Sequence, residues 1–333
     1  MNANGNSFSK KAVLTLSLAL FIMMGFLAVT GINTTAAAAD KVSVRMNWYW
    51  GGIHTPFFLA KERGYYSDNG IDITIEEGRG SGTTVKLVGN KSNDFGLADA
   101  GTSIIAATKG VPIKCVFTLN KSDLAVVFLE KTNIKKAKDL EGKKIAVTAG
   151  DSLHQMFPAV MKANNLDEKK IKLLFMDPAA KPVAVMEGRV DALLGGITDQ
   201  PVIMRNKGFP TSTITFSDLG VPTVGLAICA NSDMVKNNPD LVKRFVAATA
   251  KGWVDAVKDP NAAVEALLKY HKRDRKVLIQ SLEVITQNLL YSQTDIGPGD
   301  IKHWQSTYDI LNKYRGLKSD KPIGDFITNE FFK

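Results

Sequence analysis

Apolar positions along this chain switch repeatedly between two periods. Alternation over Val42–Asn47 predicts a strand. Apolar residues three and four apart over Pro56–Arg63 predict a helix ending at Gly64, where the missing Cβ permits positive φ. The same reading gives strands at Ile71–Glu76, Phe95–Leu97 and Ile113–Thr118, with helices at Thr83–Val88 and Ser103–Thr108 between them. A second series follows, with strands at Leu124–Leu129, Lys143–Thr148, Lys172–Met176, Ala192–Gly195 and Thr213–Phe216 and helices at Ser152–Ala163 and Lys181–Glu187. Strands alternating with helices through short turns predict parallel α/β sheets. From Asn238 the pattern turns helical, over Pro239–Val257, Pro260–Lys269, Arg273–Thr286 and Gly299–Lys313.

Two series without a flexible linker imply two lobes joined by a double crossing, at Leu119–Ala125 and Gly220–Gly225. Such a hinge places a cleft where the carboxyl ends of strands meet the amino ends of helices, and permits closure on a ligand.

The first forty residues follow other rules. Lys10 and Lys11 precede an apolar run from Ala12 to Val29, and Ala36–Ala39 lead into Asp40. This reads as a signal peptide over 1–39, cleaved after Ala37-x-Ala39. The mature chain would be exported, periplasmic and soluble. Loss of Lys10 and Lys11 lowers the formal charge from +9 to +7, and the remaining basic residues are interleaved with acids, so no nucleic-acid partner is expected.

Catalytic and metal signatures are absent. The four histidines, His54, His154, His271 and His303, form no HExxH motif, and GxSxG, GxxxxGK[ST] and GxGxxG sequences are missing. No catalytic residue, metal or cofactor is expected. Cys115 and Cys229 fall in predicted strands, where burial as inert thiols is expected over a disulfide.

Candidate ligand contacts concentrate at strand ends. Trp48, Tyr49 and Trp50 are consecutive aromatics before two glycines, and they can stack on a flat ligand while His54 and Thr55 supply polar contacts at a helix start. Any one of these rings could instead plug the core. Ser81 offers a hydroxyl and Arg79 a counter-charge for an anion, or simply an exposed cation. Gly101 and Thr102 allow close approach to backbone N–H groups, and Asn120 stands at the first crossing. Thr148, Gly150, Asp151 and Ser152 repeat the arrangement in the second series, where Asp151 or Ser152 is equally an N-cap. Gly196, Thr198 and Asp199 complete the set, with Asp199 an alternative cap for the next helix.

The run Phe58-Leu59-Ala60-Lys61-Glu62-Arg63-Gly64-Tyr65-Tyr66, followed by Asn69-Gly70-Ile71-Asp72-Ile73, resembles the opening of the periplasmic solute-binding proteins of ABC importers for nitrate, sulfonates, taurine and thiamine pyrimidine precursors. Lys138–Val147 resembles the same superfamily's entry to its second lobe. Trp48 and His54 match the spacing of the W-x-P-N-x-x-H loop of the pyrimidine-precursor branch, with Trp50 and Gly51 replacing its Pro and Asn. The resemblance implies a type II periplasmic binding protein fold of class α/β: lobe 1 from 40–120 and 225–333, lobe 2 from 125–220. It further implies a monomer that carries a flat aromatic or heteroaromatic solute to a membrane permease, without catalysis. Two alternatives are a binder of a small anion (sulfonate, taurine or nitrate), and a pyrimidine-synthase-like enzyme on the same fold.

Overall fold

The computed structural model describes Met1 and residues 38–332; the leader expected over 1–39 falls almost wholly outside the described residues. From Ala39 onward the chain forms one compact unit. It holds two five-stranded sheets. The first combines β1 (Asp40–Arg45), β2 (Ile71–Glu76), β3 (Phe95–Asp99), β4 (Ile113–Thr118) and β10 (Leu226–Asn231), in the order β2-β1-β3-β10-β4. The second combines β5 (Leu124–Leu129), β6 (Lys144–Val147), β7 (Lys172–Phe175), β8 (Ala192–Gly196) and β9 (Thr211–Thr215), in the order β7-β6-β8-β5-β9.

Neither sheet is purely parallel, which corrects the expectation from strand–helix alternation. β10 runs antiparallel to β3 and β4, and β5 antiparallel to β8 and β9. Both are the first strands after a crossing. The chain passes directly from one sheet to the other at the strand ends that face the cleft, so each entering strand must run away from it. A parallel entry would need a helical crossover of a dozen or more residues.

The two crossings lie side by side. Gly225 donates to the Asn120 carbonyl at 2.8 Å, Leu226 to Asn120 Oδ1 at 2.8 Å, and Ser122 to the Thr223 carbonyl at 3.2 Å. Asn120 thus ties the crossings together.

The helices that frame the cleft start at strand ends. They are α1 (Thr55–Glu62), α2 (Ser81–Gly89) and α3 (Ala100–Thr108) on the first sheet's side, and α4 (Ser152–Ala163), α5 (Ala180–Met186) and α6 (Gln200–Asn206) on the second's. Asp99 caps α3 by accepting from Thr102 N, and Asp151 caps α4 by accepting from His154 N, both at 2.7 Å. The C-terminal region is helical as expected: α7 (Ser232–Asn237), α8 (Pro239–Lys258), α9 (Pro260–Leu268), α10 (Arg275–Val284) and α11 (Ile301–Arg315). α10 was expected to reach Thr286, but its end opens into a π turn over Ile285–Leu289.

A continuous apolar core runs behind the cleft, joining Ile104 and Ile105 of α3, Met156, Phe157 and Val160 of α4, and Trp304 and Tyr308 of α11. Cys115 and Cys229 are bonded to each other, correcting the expectation of separate thiols. Their strands are neighbours and the two residues stand directly opposite in the register, a pairing that strand prediction alone does not reveal.

Candidate functional site

The loop after β1 is shaped by backbone and side-chain bonds to the turn after β2. Gly78 donates to the Trp48 carbonyl and Gly80 to the Asn47 carbonyl, while Trp50 N donates to Glu77 Oε1. Glycine is required at Gly78 because a Cβ there would stand 1.9 Å from the Met46 carbonyl oxygen. Within the loop His54 is buried. Its Nδ1 accepts from Gly51 N–H at 3.0 Å, which leaves Nε2–H to donate to Asn47 Oδ1 at 3.0 Å. Burial, reinforced by the charge of Arg273, lowers its pKa to about 3. His54 is therefore a neutral brace for the loop.

The three aromatics divide. Trp48 and Tyr49 are half-buried with their rings at 76° and line the cleft. Trp50 turns the other way, stacked on His271 at 4.5 Å between ring centres and edge-on to Phe58, so it is mainly a core ring that reaches only the cleft mouth.

The cleft has two adjoining chambers. The inner one, about 80 Å³, lies between the β1 and β2 loops and the amino ends of α4 and α6. Trp48, Tyr49, His54, Ser81, Ser152 and Thr198 line it, together with the carboxylates Asp123, Asp151 and Asp199. None of its lining residues is Lys or Arg. The outer one, about 580 Å³, opens between α5, α6 and α10 and shares Trp48, Tyr49, Asp199, Gln200 and Ser281 with the inner.

The carboxylates are held in an unusual electrostatic setting. Burial raises Asp123, although Thr198 Oγ1 donates to it at 2.9 Å. Burial raises Asp199 to about 6 against the opposing pull of Lys181 and a hydrogen bond from Trp48. Asp151 is also raised by burial. Behind it stands Lys181, completely buried, its Nζ donating to the Leu194 carbonyl at 2.7 Å and lying 3.7 Å from Asp151 Oδ2. That ammonium also faces the Trp48 ring at 5.4 Å. Burial lowers the Lys181 pKa, partly restored by Asp151 and Asp199.

Several expected contacts lie elsewhere. Arg79 is exposed and stacks over Tyr49 at 5.7 Å, outside both chambers, because the tight turn at Gly78 and Gly80 aims it outward. Thr55 is buried and bonds the Gly52 carbonyl. Gly101 packs against Met156 of α4, where a Cβ would come within 2.9 Å of its sulfur, and neither it nor the buried Thr102 reaches a chamber. Asn120 serves the crossings, and Thr148 bonds the Met176 carbonyl. Gly150 is absent from the lining and instead meets the opposite wall, where a Cβ on Gly82 would stand 2.5 Å from its carbonyl oxygen. Gly196 does line the inner chamber, its missing side chain leaving room for Asp123.

Asp123, Gln200, Ser281 and Lys181 were not singled out in the sequence. Asp123 and Gln200 adjoin segments that were, so their place at strand and helix ends was readable. Ser281 and Lys181 lie inside helices and carried no such signal. Among the described residues no group of three or more His, Cys, Asp or Glu could hold a metal ion.

This architecture is that of a type II periplasmic binding protein. The alkanesulfonate-binding protein SsuA from Xanthomonas axonopodis pv. citri, solved with MOPS bound, superposes with a TM-score of 0.68 at 18% identity over 88% of this chain and 99% of its own. Residues 52–263 match the family described as NMT1/THI5 like, and the chain belongs to that family. Among curated relatives, riboflavin-binding protein RibY of Chloroflexus aurantiacus is 24% identical over 97% of this chain and 98% of its own. The formylaminopyrimidine-binding protein of Halalkalibacterium halodurans is 24% identical over 90% and 94%. A 4-amino-5-hydroxymethyl-2-methylpyrimidine phosphate synthase of Legionella pneumophila is 24% identical over 88% and 92%.

Proposed function

We propose that this chain is the periplasmic solute-binding component of an ABC uptake system, and that its ligand is a flat nitrogen heterocycle presenting N–H donors or positive charge, of the aminopyrimidine type. Lobe 1 (40–120 with 225–333) and lobe 2 (125–220) close on the ligand, and the loaded monomer delivers it to a membrane permease. The observation that carries the ligand class is the inner chamber's lining of three carboxylates with no Lys or Arg. A sulfonate or nitrate would be repelled there, whereas an amino group and a ring N–H would find acceptors. Trp48 and Tyr49 supply the aromatic faces. The formylaminopyrimidine-binding relative supports the same class.

Binding without catalysis is the better reading of the residues. Lys181, the buried amine at the site, is occupied by the Leu194 carbonyl and Asp151, and both cysteines are consumed in the disulfide. Purified protein mixed with pyridoxal phosphate should show no Schiff-base absorbance; a stable band abolished by Lys181→Met would establish the synthase-like alternative instead.

The decisive measurement is a thermal-shift screen of refolded, ligand-free protein against aminopyrimidines, flavins, aromatic acids, sulfonates and nitrate. Binding to the folded state adds about 2.7 kcal/mol at a hundredfold excess over Kd. A shift with 4-amino-5-hydroxymethyl-2-methylpyrimidine is expected. A shift with sulfonate or nitrate alone would overturn the heterocycle reading and leave the transport role.

A further inference from the structure

We propose that the natural ligand has two parts: a planar donor-bearing head in the inner chamber and a bulkier, partly apolar extension that fills the outer one. The inference rests on the heterocycle reading above and extends it from the head to the whole solute. The inner chamber, at about 80 Å³, is well below the roughly 300–1,000 Å³ of ordinary small-molecule sites, whereas the outer, at about 580 Å³, is within that range. The two share Trp48, Tyr49, Asp199 and Gln200 in their walls, so they adjoin, and an elongated molecule would reach from one into the other past these side chains.

The chambers differ in chemistry. The inner one holds an acceptor that is ion-paired but not hydrogen-bonded: Asp151 is 1% exposed, and its Oδ2 lies 3.7 Å from the Lys181 ammonium with no hydrogen-bond partner. A buried carboxylate oxygen without a donor is costly, so this atom marks where a head-group N–H belongs. The outer chamber has apolar patches on both sides of the cleft, with Pro182, Val183 and Ile203 on α5 and α6 and Val277 and Leu278 on α10, and its lining also includes the charged Asp177, Lys207, Arg273 and Asp274. An extension laid between them would be gripped by both lobes and would cover the mouth of the inner chamber.

Isothermal titration with two probes tests this: 4-amino-2-methylpyrimidine, and the same ring carrying a 2-phenylethyl group at C5. The extended probe is expected to bind at least about tenfold tighter, because its phenyl group buries apolar surface against those walls. Ile203→Trp, which narrows the outer chamber at its apolar wall, should cut the extended probe's affinity back toward that of the head. Asp151→Asn should weaken both probes by a similar factor. Equal or weaker binding of the extended probe, with the head still bound, overturns the two-part ligand and spares the heterocycle reading. Binding of neither probe removes both.

Discussion

Asp99 and His54 are buried titratable side chains whose preferences oppose each other. Asp99, capping α3, is held at about 7, chiefly by burial and against the donors of Thr102. Its folded pKa exceeds its unfolded one, so its contribution to stability is full below about 4 and is lost as pH rises through 7, up to about 4 kcal/mol at most. His54, held neutral with a pKa of about 3, does the reverse: the unfolded chain takes up its proton first, and stability falls as pH drops below about 6.5. The two slopes partly cancel between pH 7 and 4. Asp99→Asn should therefore gain most over the parent at pH 7–8, and its melting temperature should drop more steeply on acidification; parallel profiles would show that Asp99 ionises normally. Asp199, raised to about 6, gives a binding counterpart. A cationic or donor-bearing head favours its ionised form, so after correction for the ligand's own titration affinity should weaken about tenfold per pH unit below 6. Calorimetry on Asp199→Asn should show that dependence flattened.

At the level of elements, the sequence declared most strands and helices because the two periods are distinct, and Ile71–Glu76, Ile113–Thr118, Leu124–Leu129 and Ser152–Ala163 stand where the pattern put them. Strand direction was not legible, since Leu124–Leu129 and Leu226–Asn231 are apolar on both faces and their sense follows from the crossings rather than from any local signal. The disulfide was hidden for the same reason: only the placing of β10 beside β4 brings Cys229 opposite Cys115, 114 residues earlier. Closing so long a loop restricts the unfolded chain, and bonds of this kind contribute about 2–4 kcal/mol. Reduction, or the double variant Cys115→Ser with Cys229→Ser, should lower the melting temperature of the empty protein accordingly. Ligand affinity should change little, because neither cysteine lines a chamber. An unchanged melting temperature under reductant would mean that the bond contributes nothing to the resting fold.

For the whole molecule, the consequential contact is the one where glycines of one wall of the cleft meet the other wall. Gly80 faces the Asp151 backbone, and a Cβ on Gly82 would stand 2.5 Å from the Gly150 carbonyl oxygen and 2.7 Å from Gln155 Nε2. Both glycines precede or open α2, and Gly150, Asp151 and Gln155 precede or belong to the first turn of α4, so the amino ends of two helices on opposite sheets approach where α2 offers only backbone. This explains why the glycine-rich run 78–82 signalled a site in the sequence although its Arg79 points away: the glycines permit approach of protein to protein across the cleft. In the proposed closure Gly82 must lack a side chain, while the core shared by α3, α4 and α11 joins the two sides behind the cleft. Gly82→Leu separates these roles. Gly82 is the second residue of α2 at ordinary φ, so the helix backbone itself accepts a side chain there, and the conflict is only with Gly150 and Gln155 across the cleft. With the cleft open that conflict is relieved, so the empty variant should fold and melt near the parent temperature. Its side chain would wedge the cleft open, so ligand affinity should fall at least about tenfold, and small-angle scattering should show no contraction on adding ligand. If Gly82→Leu binds and contracts like the parent, the contact between α2 and α4 is incidental, and closure must be carried by the outer walls alone.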